Sequence, residues 1–430
     1  MEQLRALERR IKLTVELRSI ESEVANRLRH IARTARIDGF RSGKVPLSLV
    51  AQKYGGEVHQ EVLGTAVERA FASAVQSHQL KVAGMPRIEP KTDASNQDLF
   101  EFSAIFEVYP DITLGDLAEA EISRPVVEVG DAQVDKTIAV LLKQRVQYNT
   151  VDREAQHGDM VTLNYVGKIG GDIFNGGTAQ GFRVVVGEGR TLPEFETALM
   201  GVKSGDSKQF DVTFPSDYQA AELAGKTAQF EVEITDIAAP ELPEADAEFA
   251  KSLGIDDGDI AKMRAEIKGN LEREVKNRIQ AQIKDQVMQA LLASTTIDTP
   301  KALVQNEMQR LMAQARSDMQ ERGMDIAQIP MPTELFEQRA QKRVALGLIL
   351  AEIVQSKQLN AQPEAVQAMI EDLAQSYEDP EDVIKWYRAT PEKMQEITSL
   401  VLEDNVVEWV LGQAKVSDKP IAFDELMGKA

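Results

Sequence analysis

The sequence predicts a multidomain α+β protein: an α+β head, a compact antiparallel β-sheet domain with one short helix, and an elongated all-α C-terminal domain with arms. Three observations carry this reading. A chain of 430 residues that is 43% apolar is too long for one core. Its middle turns glycine-rich, with short alternating apolar segments. Beyond residue 245 the apolar spacing becomes helical almost throughout.

Residues 1–110 form the head. Ile11, Leu13, Val15 and Leu17 alternate as in a half-buried strand, and a helix is expected from about Ser19 to Arg36, with a second over Val58 to Leu80. In Phe100 to Val108 the even positions Phe100, Phe102, Ala104, Phe106 and Val108 share one face, and Tyr109-Pro110 stops the run. Residues 111–150 are read as a connector, with an extended piece at Ala120 to Val127 and a helix from about Asp131 to Tyr148.

Residues 151–240 hold the sheet domain. Its strands are expected at Val161-Leu163-Tyr165, Phe182-Val184-Val186, Phe210-Val212-Phe214 and Phe230-Val232-Ile234. The one helix places Leu192, Phe195 and Leu199 at i, i+3 and i+7 before Gly201 ends it. Pro240 and Pro243, with Glu241 and Glu244, mark a linker into residues 241–430.

The first long helix of that last region carries Ile260, Met263, Ile267, Leu271, Val275, Ile279, Ile283, Val287 and Leu291, spaced mostly by four. Four residues turn about 400° at 3.6 residues per turn, so the apolar stripe rotates by about 40° per step. It must meet several neighbours in turn or stay partly exposed, as an arm does. Five of the 14 methionines follow, at Met308, Met312, Met319, Met324 and Met331, suited either to core packing or to irregular apolar partners.

Composition removes several function classes. There is no cysteine, so disulfide scaffolds, thiolate catalysis and cysteine-ligated zinc are excluded. No apolar run approaches the roughly 20 residues of a bilayer span, and the charges at Glu2, Arg5, Glu8, Arg9 and Arg10 break any signal-peptide core. A cytoplasmic protein without a membrane partner is expected. His30, His59, His78 and His157 lack ligand spacing, so no metal and no cofactor are expected. Neither a nucleophile elbow nor a dinucleotide fingerprint occurs.

Net charge is −20, yet residues 1–60 hold 12 Lys and Arg against 7 Asp and Glu, a balance of +5 that leaves −25 for the other 370 residues. From Arg27 to Lys53 seven basic residues face only Asp38. A solvated helix face or a polyanion such as RNA both account for this. Within that stretch lies Gly39-Phe40-Arg41-Ser42-Gly43-Lys44-Val45-Pro46: a tight turn, one large apolar residue and two cations. It is not a nucleotide-binding loop, because Val45 stands where a magnesium-binding Ser or Thr is needed. By its residues alone such a turn is more often a plain surface loop.

That octapeptide resembles the ribosome-docking signature of the trigger factors, and domain order and lengths over the whole chain are similar to that family. The resemblance implies docking beside the polypeptide exit tunnel of the large ribosomal subunit, on protein and rRNA. Gly39, Phe40, Arg41, Ser42, Gly43, Lys44 and Pro46 would form the contact, led by Phe40, Arg41 and Lys44. Ser42 stands where many relatives have a second basic residue, which implies weaker or more salt-dependent docking.

The sheet domain resembles the FKBP-type peptidyl-prolyl isomerases through Val161 to Gly167, Ile173-Phe174-Asn175-Gly176, Phe182 to Gly187 and Leu192-Pro193-Glu194-Phe195-Glu196. The resemblance places Tyr165, Phe174, Asn175, Phe182, Thr191, Leu192, Phe195, Tyr218 and Phe230 around a proline pocket, with the Leu192 amide holding a substrate carbonyl. Asn175 replaces a common aspartate, Phe195 a tryptophan and Ala220 a second tyrosine. Any one of these aromatics taken singly reads better as part of an ordinary β-domain core; the ordered set of blocks points to the pocket.

Together the resemblances imply an ATP-independent, ribosome-associated chaperone for nascent and unfolded polypeptides. It would assist folding and export, serve cell division, catalyse cis/trans isomerisation of X-Pro bonds and be free to form a homodimer off the ribosome. Two other readings remain at this point: a prolyl isomerase whose other domains only recruit substrate, and a ribosome assembly factor.

Overall fold

The computed structural model describes residues 1–35, 40, 45–91, 98–218, 220, 222–323, 332–375, 377 and 379–428. The chain divides into two compact units, one made of residues 1–124 and 280–419, the other of 125–279 and 420–430.

The head opens the first unit. Strands β1 (Glu2–Gln3), β2 (Glu8–Glu16), β3 (Val82–Pro90) and β4 (Leu99–Val108) form an antiparallel sheet in the order β1-β2-β4-β3. Between β2 and β3 run helices α1 (Leu17–Thr34) and α2 (Leu47–Ser77). Phe102, Ala104, Phe106 and Val108 of β4 are buried as their alternation requires, and Phe71 of α2 meets Phe106 edge-on at 5.1 Å. Helix α2 starts about three turns earlier than its periodicity suggests. Pro46 fixes the backbone just before Leu47, and Val50 and Val58 pack with Ile20, Leu28 and Ala32 of α1.

In the second unit lie β5 (Glu121–Val126), which crosses the unit boundary, α3 (Asp131–Gln144) and β6 (Gln147–Thr150). The expected helix to Tyr148 is corrected here. It stops at Gln144, and Tyr148 becomes a strand residue paired with Pro240, because Val146, Tyr148 and Thr150 are strand formers alternating with polar residues. The sheet domain follows with β7 (Met160–Ile169), β8 (Asp172–Val185), α4 (Pro193–Leu199), β9 (Ser207–Thr213) and β10 (Thr227–Glu241). The sheet runs β6-β10-β7-β8, with β9 also on β10, all antiparallel. Pro240 is therefore inside β10 rather than in a linker. There β10 has a partner on one side only, since pairing with β7 ends at Ala238, and the missing N–H is tolerated.

Helix α5 (Ala247–Ser252) and the first half of α6 (Ile260–Ser294) close a small core with α3: Val134 and Ile138 pack with Phe249, Ala250, Met263 and Ile267. Residues read as a strung-out connector thus bury side chains. The rotating stripe of α6 meets successive partners, since Val287 and Leu291 are buried while Gln286 hydrogen-bonds both backbone groups of Ser123; Ile260 stays 41% exposed.

The remainder of the first unit comprises α7 (Lys301–Glu321), α8 (Thr333–Ser356), α9 (Pro363–Ala374), α10 (Pro380–Ala389) and α11 (Pro391–Leu411). The last three each open on proline, whose fixed φ and absent N–H suit the first helical turn. Met308 packs against Val304, Leu311 and Ala340, and Met312 and Met319 are half-buried; Met324 and Met331 lie outside the described residues. The start of α7 sits on the head sheet. The Ala302 N–H donates to the Glu107 carboxylate at 3.0 Å, and at Gly84, whose φ is +82°, a Cβ would fall 2.4 Å from that of Ala302. A strand the helical pattern missed, β11 (Lys415–Pro420), pairs with β5, pinned by Arg124 to Asp418 at 2.7 Å; α12 (Phe423–Leu426) ends the order. Every residue of β11 is exposed, so no buried face marks it in the sequence. Among the described residues no helix is long and apolar enough to cross a membrane.

Candidate active site

The inner face of the sheet domain is a continuous apolar core of Val161, Leu163, Val184, Leu199, Val212, Val232 and Ile234. At one end this core opens into a cleft of about 550 Å³. Tyr165 reaches it from β7, Phe174, Asn175 and Phe182 from β8, Phe195 from α4 and Phe230 from β10. Thr191 and Leu192 enter from the segment before α4, and Tyr218 from the segment after β9. All nine residues singled out in the sequence line this one cavity.

Phe230 is the hub of the floor. Its ring centroid lies 5.3 Å from Phe195, 5.7 Å from Tyr165, 6.0 Å from Phe174 and 6.3 Å from Phe210, mostly edge to face. Gly167 makes this possible. A Cβ there would lie 2.8 Å from ring atoms of both Phe174 and Phe230, so any side chain would push the rings apart. Tyr165 donates its hydroxyl to the Gly176 carbonyl at 3.3 Å; burial, and secondarily Tyr218, raise its pKa and keep it protonated.

The wall before α4 is held from beneath. Glu196 is buried, and its carboxylate accepts the backbone N–H groups of Gly187, Gly189 and Thr191 at 3.0–3.1 Å and the Thr191 hydroxyl at 3.2 Å. Burial pushes this carboxyl up, but the four donors together outweigh it and hold the group below its ordinary range. The Leu192 carbonyl accepts from Phe195 and Glu196, opening α4, whereas no acceptor among the described residues takes the Leu192 N–H.

Sequence reasoning missed Arg190, Val212, Phe214 and Leu223, which also line the cleft, and the role of Glu196. Phe214 lies 5.9 Å from Phe174 and 4.8 Å from Tyr218. Its place at the end of the alternating run Phe210-Val212-Phe214 was the available signal. Ala220 lines the cleft where a bulkier residue would narrow it.

Of the docking octapeptide, Phe40 is described and 42% exposed, and Pro46 caps α2; Gly39, Arg41, Ser42, Gly43 and Lys44 lie outside the described residues. Val45 of the octapeptide and Ala35 ahead of it are buried. On α1, Arg27, Arg29, His30 and Arg33 are exposed, with Arg27 paired to Glu61.

A cleft walled by aromatic rings on an antiparallel sheet, with a free amide at its edge, defines the class. Residues 151–235 match the family of FKBP-type peptidyl-prolyl cis-trans isomerases. Residues 1–141 match the bacterial trigger factor protein and residues 259–412 its C-terminal region. The trigger factor of Nitrosospira multiformis is 53% identical over all of this chain and 99% of its own length. That of Thiobacillus denitrificans is 51% identical with the same coverage. A solved trigger factor chaperone aligns over 96% of this chain and 99% of its own at 18% identity, with a TM-score of 0.48, too low to bear on the fold. The chain belongs to the bacterial trigger factor family. It is a ribosome-associated chaperone with peptidyl-prolyl cis-trans isomerase activity.

Proposed function

We propose that the aromatic cleft is where X-Pro bonds turn, and that the rest of the molecule brings emerging polypeptide to it from the ribosome. The observation that carries this reading is the convergence of Tyr165, Phe174, Phe182, Phe195, Tyr218 and Phe230 beside the unengaged Leu192 amide. Rotation about a peptide bond costs about 18–20 kcal/mol because planarity gives the C–N bond double-bond character. A twisting amide loses resonance and much of its charge separation, so a dry aromatic cleft favours the twisted state over the planar one. Phe195 and Phe230 seat the proline ring, the Leu192 N–H holds a substrate carbonyl, and Asn175, Thr191 and Tyr165 form the polar edge. No nucleophile or general base is needed.

Gly39, Phe40, Arg41, Ser42, Gly43, Lys44 and Pro46 dock the head beside the exit tunnel of the large subunit. The exposed Phe40 contributes apolar contact with ribosomal protein, and the exposed Arg29 and Arg33 on α1 extend a basic surface toward rRNA. Nascent chains are held by the helical region, where a groove of about 1210 Å³ is lined by Leu350, Val354, Leu400 and Leu402 among polar residues. Residues 1–110 thus dock, 151–240 isomerise and 241–430 hold, with 111–150 between. A homodimer off the ribosome covers exposed side chains such as Leu335 and Trp386, and the work is done in the cytoplasm.

The test is ribosome co-sedimentation of the Phe40→Ala, Arg41→Ala, Lys44→Ala triple variant, alongside isomerisation of an X-Pro peptide. Loss of co-sedimentation with retained isomerisation is expected. Persistent co-sedimentation at physiological salt overturns the docking assignment, and an isomerase rate unaffected by Phe174→Ala overturns the cleft assignment.

A further inference from the structure

One rim residue of the cleft carries a chemistry that the twisting of an amide does not use. Of the ten asparagines in the chain, Asn175 alone is followed by glycine. It lines the cleft, and both Asn175 and Gly176 are exposed. The ladder between β7 and β8 breaks there: Val166 faces Thr178 and Lys168 faces Ile173, which leaves Phe174 to Gly177 as a bulge opposite Gly167. Gly176 has φ +80°, and a Cβ built on it meets nothing within 4 Å. Among the described residues no hydrogen bond holds the Asn175 carboxamide. In the neighbouring strand, by contrast, the Asn164 carboxamide oxygen accepts the Gly181 N–H at 3.0 Å.

We propose that Asn175 and Gly176 form a self-modification site, at which Asn175 deamidates and the isoaspartate produced disables the cleft. The second half rests on the isomerase reading of that cleft; the first does not. The main-chain nitrogen of Gly176 attacks the Asn175 carboxamide carbon; as that N–C bond forms, the C–NH2 bond breaks, and the proton of the attacking amide leaves with the departing nitrogen as ammonia. Water then opens the five-membered imide at one of its two carbonyls. Opening at the side-chain carbonyl gives aspartate on an ordinary main chain, and opening at the main-chain carbonyl gives isoaspartate. Each product has exchanged an amide for an acid, so no oxidant or reductant is needed. Glycine favours the closure because no Cβ obstructs the approach, and the open space at Gly176 and the exposed rim supply room and water. The bulge helps as well, since residues outside the ladder turn more freely than paired ones. Isoaspartate lengthens the main chain by one carbon between Phe174 and Gly176. Phe174 packs against Phe214 and Phe230, at 5.9 and 6.0 Å between ring centroids, and the Gly176 carbonyl accepts the Tyr165 hydroxyl at 3.3 Å. The added atom must therefore shift one of these walls.

The experiment incubates the full chain at mildly alkaline pH beside the free peptide Ile-Phe-Asn-Gly-Gly-Thr. Peptide mapping by mass spectrometry locates the conversion, and enzymatic carboxyl methylation measures the isoaspartyl fraction. Asn175 should convert ahead of the other nine asparagines, and faster as pH rises, because the attacking nitrogen must lose its proton. An Asn175 still intact when the free peptide has converted overturns the proposal. Isomerisation of an uncharged Leu-Pro peptide is followed in the same samples, each protein against its own starting rate. In the natural protein kcat/KM should fall with the isoaspartyl fraction, that fraction turning over on the order of tenfold more slowly because a small misplacement of the wall is costly. Asn175→Gln cannot close the same ring and should hold its starting rate. A rate in the natural protein that stays constant as isoaspartate accumulates, or an equal decline in Asn175→Gln, overturns the disabling step. Asn175→Asp carries the carboxylate without the lengthened chain, and the isoaspartyl protein should fall below it. Failure of the fresh natural protein to turn over the peptide would count against the cleft as an isomerase site; deamidation is then judged by mass alone.

Discussion

The carboxylate of Glu196 accepts the backbone N–H of Gly187 at 3.0 Å, tying the first turn of α4 to the loop that leads into Thr191 and Leu192. With Gly189 and Thr191 on the same carboxylate, one side chain sets the conformation of the whole edge of the cleft. Glu196→Ala would leave three part-buried N–H groups without this acceptor. It should cost about 1–3 kcal/mol of stability and reduce isomerase kcat/KM by about tenfold. Glu196→Gln keeps one acceptor oxygen and should fall between. Thermal unfolding and a peptide isomerisation assay check both.

Acid should loosen this domain. Asp159 is buried; that burial raises its carboxyl pKa, but the bonds from Arg153 at 2.5 and 2.9 Å and from the Gln156 N–H outweigh the effect and lower it. Glu196 is lowered in the same sense. A carboxyl whose folded pKa lies below its unfolded value stabilises fully above the unfolded value, and that stability is lost as pH falls through the folded one. The contribution is therefore whole above the ordinary values of 3.8 and 4.5 and drains away beneath them. Arg153→Ala should move the acid-unfolding midpoint to higher pH, read by tryptophan-independent far-UV circular dichroism. An unmoved midpoint would show that the pair does not govern acid stability.

Floor and rim of the cleft should respond differently to truncation. Phe230 is 6% exposed and touches four rings, so Phe230→Ala should cost about 3–5 kcal/mol and remove activity with the fold. Phe182 is 36% exposed and meets Tyr165 at 5.4 Å, so Phe182→Ala should cost under about 1.5 kcal/mol while lowering kcat/KM severalfold. Equal losses of stability in the two variants would contradict this division.

The parts legible in the sequence were those where a pattern repeats. Alternation in Phe100 to Val108 and the four-residue spacing along α6 both became elements with the expected buried faces. The nine cleft residues were legible because their blocks match a family, not because periodicity reveals a cavity. What escaped had no local signal. The wholly exposed β11 pairs with β5 about 290 positions away, and the early start of α2 depends on packing against α1. Glu196 stood at the end of a family block, but nothing local in the sequence shows what its carboxylate holds. Only the fold shows three amides turned toward it.

The contact between the head and α7 gives a further prediction. Gly84 adopts φ +82° and has Ala302 where a methyl would go, so Gly84→Ala meets both backbone strain and a clash. A loss of about 2–4 kcal/mol is expected, as strain and overpacking act together. Denaturant titration of the full chain measures it. A change below about 0.5 kcal/mol would mean that the contact contributes little in solution.

That same contact has a temporal side. Glu107 and Ala302 are 195 residues apart. A ribosome adding about 5–20 residues per second takes roughly 10–40 s to travel from one to the other. Throughout that interval the strands bearing Gly84 and Glu107 have been made and their cover has not. The molecule that shelters unfinished chains thus passes through its own period as one, with a flank bare until α7 emerges.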